Sequence, residues 1–192
     1  VKGNIETSHI PVILLTALSS ENDVLHGLSL NADDYIAKPF SVGMLRARID
    51  NLLSNRRLLW RKYVAGSGVE MSQSDVDRLT ELDRRFVDDV RRCVLEHVDD
   101  RNFNVDTLCG LLNMSRTSFY NKIKALTDSS PADFIRAVRL ARAAELLSSG
   151  GGYSVTEVAE MSGFNDAKYF REVFRRHYGV SPTKYGGQKK NF

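Results

Sequence analysis

The sequence predicts a mostly α protein, in which an all-α part built from two helix-turn-helix units follows a truncated α/β part. Three observations carry this. Apolar residues recur at helical spacing through most of residues 79–178. Two stretches, 105–126 and 154–178, each break that spacing once, at Asn113 and at Gly163, residue types suited to the left-handed backbone of a sharp interhelical turn. Residues 1–54 instead alternate short apolar runs with helical segments, the pattern of a parallel α/β unit.

Taken in order, PVILLTA at 11–17 is Leu-rich and β-branched and reads as a buried parallel strand. Residues 20–30 suggest an amphipathic helix with Val24, Leu25 and Leu28 on one face. Residues 33–37 form a second short strand, ended by Pro39. Ser41 caps a helix that turns Val42, Leu45, Ile49, Leu52 and Leu53 inward. Residues 55–77, rich in Arg and then in Gly and Ser, read as a linker between residues 1–54 and an all-helical part at 78–192.

That part opens with a helix over 79–98, with Leu82, Phe86, Val90, Cys93, Val94 and His97 at helical spacing. Helices over 105–112 and 115–125 follow. Leu108, Leu111 and Leu112 are inward on the first; Ser115 caps the second, anchored by Phe119, Ile123 and Leu126. Pro131 opens a long helix that runs to 148, where the glycines at 150–152 close it. In the last pair, Val155, Val158 and Ala159 share one face, Asp166 caps the following helix, and Tyr169, Phe170, Val173 and Phe174 point inward before the chain stops being helical.

Composition is that of an ordinary soluble globular protein, 42% hydrophobic and 27% charged over 192 residues. The longest apolar run, PVILLTAL, is too short to span a bilayer, so no membrane contact is expected. The chain begins with Val and reads as a piece of something longer. Residues 1–100 hold 13 Lys and Arg against 16 Asp and Glu, whereas residues 101–192 hold 14 against 8. The basic half is the half with the helix pairs, which fits a polyanionic partner. Cys93 and Cys109 read as reduced core residues, and four scattered histidines have no metal-ligand spacing. No nucleophile–base pair, phosphate loop or metal constellation is present, so neither an enzyme nor a cofactor or metal is expected.

Helix geometry then selects candidate reading residues. Arg116, Thr117, Tyr120, Asn121 and Lys124 point away from the stripe of Phe119 and Ile123. Ala167, Lys168, Arg171, Glu172 and Arg175 point away from Phe170 and Phe174. A helix with one buried stripe and one basic, polar face is what the major groove accepts. Chemistry matches Arg171 to guanine, Asn121 to adenine and Ala167 to a thymine methyl group. Tyr120 has a second reading, as a residue packed on its own domain.

The stretch SVTEVAEMSGFNDAKYFREVFRRHYGVSPTKY, 154–185, resembles the second helix-turn-helix of AraC-type transcription regulators, with Gly163–Phe164, Tyr169–Phe170, Phe174 and the G-x-S-P-x-x-Y element in register. VDTLCGLLNMSRTSFYNKIKAL, 105–126, resembles the first, and SPADFIRAVRLARAAELL the helix that joins them. The resemblance implies base contacts at Thr117, Tyr120, Asn121, Ala167, Lys168, Arg171 and Glu172, and phosphate contacts at Arg116, Lys124, Arg175 and Arg176. Where that family commonly has Arg after the SPTKY element, this chain has Gly186 and Gly187, with Lys184, Lys189 and Lys190 as partial substitutes.

PVILLTAL and ADDYIAKPF resemble the last portion of a flavodoxin-like response-regulator receiver domain. The resemblance makes Thr16, Tyr35 and Lys38 the remnants of its phosphorylation site, with the Lys38–Pro39 bond often cis in that family. The family's acceptor Asp falls ahead of residue 1, and Asp33 and Asp34 lie in the wrong place to replace it, so phosphorelay chemistry is not expected here. The fragment's exposed strand edge is expected to pair with a second copy or to be poorly ordered.

The expected function is a sequence-specific, DNA-binding transcription regulator, the cytoplasmic output end of a two-component phosphorelay. Its expected partners are double-stranded DNA, RNA polymerase and a second copy of the chain. Two alternatives stand beside it: the C-terminal regulatory portion of a hybrid sensor histidine kinase, whose parent sits in the inner membrane, and a protein-interaction module that uses the basic face.

Overall fold

The computed structural model describes residues 1–17, 32–64, 81–98, 100 and 102–188. The helix expected at 20–30 and the linker beyond Val64 lie outside these residues. Two short strands, β1 (Ile13–Thr16) and β2 (Asp34–Ala37), pair in parallel with Ile13 opposite Asp34 and Thr16 opposite Ala37. The helix α1 (Val42–Val64) follows, so residues 55–64 of the expected linker continue it. Val42, Ile49 and Leu53, expected inward, are exposed, and Leu45 and Leu52 are half-buried. A two-stranded sheet offers too little surface to cover a whole helix face.

Seven further helices follow among the described residues: α2 (Glu81–Glu96), α3 (Val105–Leu111), α4 (Arg116–Thr127), α5 (Pro131–Ser148), α6 (Val155–Met161), α7 (Ala167–Tyr178) and α8 (Pro182–Gln188). Their ends are set by local chemistry. Asn104 caps α3 and Ser115 caps α4 through their side-chain oxygens. Ser130 caps α5, with Pro131 in the first turn, where a missing N–H costs nothing. Ser154 and Glu157 form a reciprocal capping box on α6. Asp166 accepts from the backbone of Lys168 and Tyr169 at the start of α7.

α5 organises the packing. Its first half contributes Phe134, Ile135, Ala137 and Val138 to a core shared with Phe86, Val90, Val94, Leu108, Phe119 and Ile123. Its second half contributes Leu140, Ala143, Ala144 and Leu146 to a separate core with Val158, Phe164, Phe170, Val173 and Phe174. Each helix pair therefore has its own core, and one continuous helix belongs to both.

Further apolar residues differ from their expected placement: β1, read as a buried strand, is half-buried with Leu15 exposed, and Cys93, read as core, is half-buried. Leu111 and Tyr169 are exposed, and Leu112 is half-buried. Cys109, on the next position after Leu108, takes the inward place on the short α3. Tyr169 sits at the flank of the stripe of Phe170, Val173 and Phe174, its ring 6.5 Å from that of Phe164. The chain also continues in helical form beyond Gly179. Residue Tyr185 of α8 packs edge-on against Phe174 at 5.4 Å and lies 5.1 Å from the ring of Tyr178.

Candidate nucleic-acid interface

Each helix pair presents its second helix outward. The pair α3–α4 turns at Asn113, whose φ is 51°, and the pair α6–α7 turns at Gly163, whose φ is 76°. On α4, Phe119, Ile123 and Leu126 are buried, while Arg116, Thr117, Tyr120, Asn121 and Lys124 are exposed. Tyr120 is 43% exposed, which leaves its ring off the core. On α7, Phe170, Val173 and Phe174 are buried, while Lys168, Arg171, Glu172, Arg175 and Arg176 are exposed. Ala167 is half-buried against the second core.

Arg116 is held by Asp106 of α3 at 3.1 Å, which orients its guanidinium across the turn of its own helix pair. Lys184 is exposed on α8, whereas Lys189 and Lys190 lie outside the described residues. An 18-residue α5 spans about 27 Å, close to the roughly 34 Å between successive major-groove segments on one side of a duplex. The fixed attachment of both cores to this helix sets the separation of α4 and α7.

Residues 108–188 match the family model described as a helix-turn-helix domain. The second half of the chain is a helix-turn-helix domain similar to those of AraC-type regulators. The transcriptional regulator MtrA of Neisseria gonorrhoeae is 36% identical over 50% of this chain and 32% of its own length. Histidine kinase P4 of Formosa agariphila is 35% identical over 96% of this chain, which spans only 13% of that kinase. A crystal structure from Chromobacterium violaceum, of a regulator with an AraC-type DNA-binding domain, superposes with a TM-score of 0.52 over 56% of this chain and 95% of its own. Its 18% identity speaks for the fold alone.

Ahead of the helix-turn-helix domain, Thr16 and Lys38 meet at the strand ends, while Tyr35 stands opposite Leu14 within the sheet. The backbone N–H of Lys38 donates to the carbonyl of Thr16 at 2.7 Å, and the Lys38–Pro39 bond is cis. Lys38 is exposed and Tyr35 is 39% exposed. Asp33 accepts from the backbone of Val12 at 2.7 Å and pairs with Lys2, while Asp34 opens β2 and pairs with Arg48 at 3.3 Å. Both carboxylates are thus used in holding the small sheet.

Cys93 and Cys109 are free thiols, and burial pushes both above the ordinary thiol range. Among the described residues no helix is long and apolar enough to cross a membrane.

Two charged residues escaped the sequence reading. Lys122 of α4 and Asp83 of α2 are fully buried and paired at 2.8 Å. A signal for them existed. Lys122 stands at the helical spacing of Phe119 and Leu126, and Asp83 at that of Phe86 and Val90, so charges of opposite sign occupy two buried stripes.

Proposed function

We propose that this chain binds duplex DNA with sequence preference and reads two successive major-groove segments, one through α4 and one through α7. The observation that carries the reading is the pair of amphipathic second helices, each with a polar, cation-bearing outer face, built on one shared helix. Thr117, Tyr120, Asn121, Ala167, Lys168, Arg171 and Glu172 face base edges. Arg116, Lys124, Arg175 and Arg176 hold phosphates on either side of them. Selection of bound sequences from random duplex DNA tests this: two short preferred blocks about one helical turn apart are expected, and recovery of no preferred sequence overturns it.

The regulator is the output end of a two-component system, either a response regulator or the C-terminal portion of a hybrid sensor kinase. Supporting this are the adjacent Thr16 and Lys38 and the similarity to a histidine kinase along almost the whole chain. The chain is divided into a receiver-like segment at 1–54, a connecting segment and the DNA-binding domain at 78–192, and it works in the cytoplasm. Exposed Val42, Ile49 and Leu53 on α1 favour contact with a second copy through the receiver-like segment, and DNA-bound copies contact RNA polymerase. Sedimentation of the chain with and without its DNA site tests the pairing: a dimer is expected, and a monomer in both states excludes it.

A further inference from the structure

The segment ahead of β1 reaches into the DNA-binding domain. Lys122 is completely buried, although its neighbours Asn121 and Lys124 on α4 are exposed. Burying an ammonium group requires that its three donors be satisfied. Here one donates to Asp83 Oδ1 at 2.8 Å, one to Ser8 Oγ at 2.7 Å and one to the carbonyl of Ile5. The ammonium also lies 4.8 Å from the centre of the Phe86 ring, a further favourable contact for a cation.

Only Asp83 among these acceptors belongs to the DNA-binding domain. The other two come from residues 5 and 8, more than a hundred positions away in sequence. Ser8 is itself fully buried, and its hydroxyl works in both directions, accepting from Lys122 and donating to Asp83 Oδ1 at 2.6 Å. It therefore bridges both members of the ion pair. α1, which follows the sheet, packs against the same reading helix, α4, and against the joining helix α5. Both contacts leave Arg116, Thr117, Tyr120, Asn121 and Lys124 exposed.

We propose that Lys122 is a positioning residue for the first reading helix, and that the Ser8–Asp83–Lys122 bridge couples the seating of α4 to the receiver-like segment. A displacement of residues 5–8 strips two of three acceptors from a buried cation on the reading helix. α4 cannot then keep its place on α2 at no cost. α7 makes no part of this bridge and is built on a different core, so the two reading heads respond unequally. The proposal rests on the DNA-reading role given to α4 above.

The test uses the full chain, a duplex carrying its selected site, and the variants Ser8→Ala and Lys122→Met. Two quantities are measured: discrimination against base changes in each half of the site, and amide hydrogen exchange along α4 and α7 without DNA. Ser8→Ala, which keeps the ion pair, is expected to reduce discrimination about fivefold or more in the half read by α4 and to leave the other half unchanged. It is expected to speed exchange in α4 and not in α7. Lys122→Met, of similar length but uncharged, is expected to make Ser8→Ala nearly silent when the two are combined.

Equal weakening of both halves by Ser8→Ala, or exchange unchanged in α4, overturns the coupling. Should the parent chain select no DNA sequence, the DNA-reading role fails, and exchange alone then decides whether Ser8 holds α4.

Discussion

Gly163 packs directly beneath the carbonyl oxygen of Val98. A β-carbon at position 163 would collide with that oxygen and would lie 2.8 Å from Nε of Arg139. The turn of the second helix pair is thus wedged between the end of α2 and the joining helix, and its φ of 76° adds a second reason for glycine. Gly163→Ala is expected to cost about 3 kcal/mol in urea unfolding. Asn113→Gly, at the equivalent turn of the first pair, is expected to be neutral or slightly stabilising. Equal effects of the two changes would mean that the turns are not so constrained.

Tyr178 is held in the aromatic group with Phe174 and Tyr185, and its hydroxyl is buried without a hydrogen-bond partner. Burial, reinforced by Tyr185 and Glu145, pushes its phenol up to about 12. A pKa raised in the folded state gives stability that is full below the unfolded value near 10 and fades as pH rises through about 12. Removing an unpaired hydroxyl costs little, so Tyr178→Phe is expected to match the parent protein at pH 7. In denaturation curves taken between about pH 10 and 12, the variant is expected to lose less stability than the parent. Parallel decline of both proteins across that range would place the phenol in water.

Ser154 and Glu157 close the start of α6 reciprocally, at 3.2 Å and 2.7 Å. Ser154→Ala is expected to cost about 1 kcal/mol in thermal unfolding. The backbone N–H of Ser154, and then its side chain, hold the Glu157 carboxyl below its ordinary range. That contribution is present above the usual carboxylate pKa and is lost as pH falls through the lower folded value. The stability difference between the parent and Glu157→Gln should therefore shrink as the solution is acidified, and a constant difference would contradict the box.

Much of this was legible in the residues because it is local. Pro131 and the glycines at 150–152 fixed both ends of α5, and Ser115 and Asp166 capped the helices they were expected to cap. What depended on distant partners was not legible. Val42 and Ile49 read as core, but the small sheet leaves them bare. Tyr185 looked like part of a terminal motif, yet it closes the second core from α8. Lys122 went unassigned because two of its acceptors, Ile5 and Ser8, lie at the other end of the chain.

The proposed function divides the exposed face of α7 into a reader and a clamp. Arg171→Ala is expected to cost about 1–3 kcal/mol on the preferred site and to relax preference at one base pair. Arg175→Ala, near the groove edge, should weaken all sequences alike and reduce the salt slope by about one unit. Both side chains are exposed, so melting curves should move little. Equal loss by Arg171→Ala on preferred and scrambled DNA would make it a second clamp.

The most direct measurement is a fluorescence-anisotropy titration of the chain with its selected duplex, with either half of the site scrambled, over a series of salt concentrations. Two heads on one helix predict that each scrambled half weakens binding, and that scrambling both leaves only the non-specific level. Log affinity should fall with log salt by about 0.9 for each phosphate neutralised. No binding at low salt, or affinity indifferent to both halves, would contradict the assignment of α4 and α7 as reading helices.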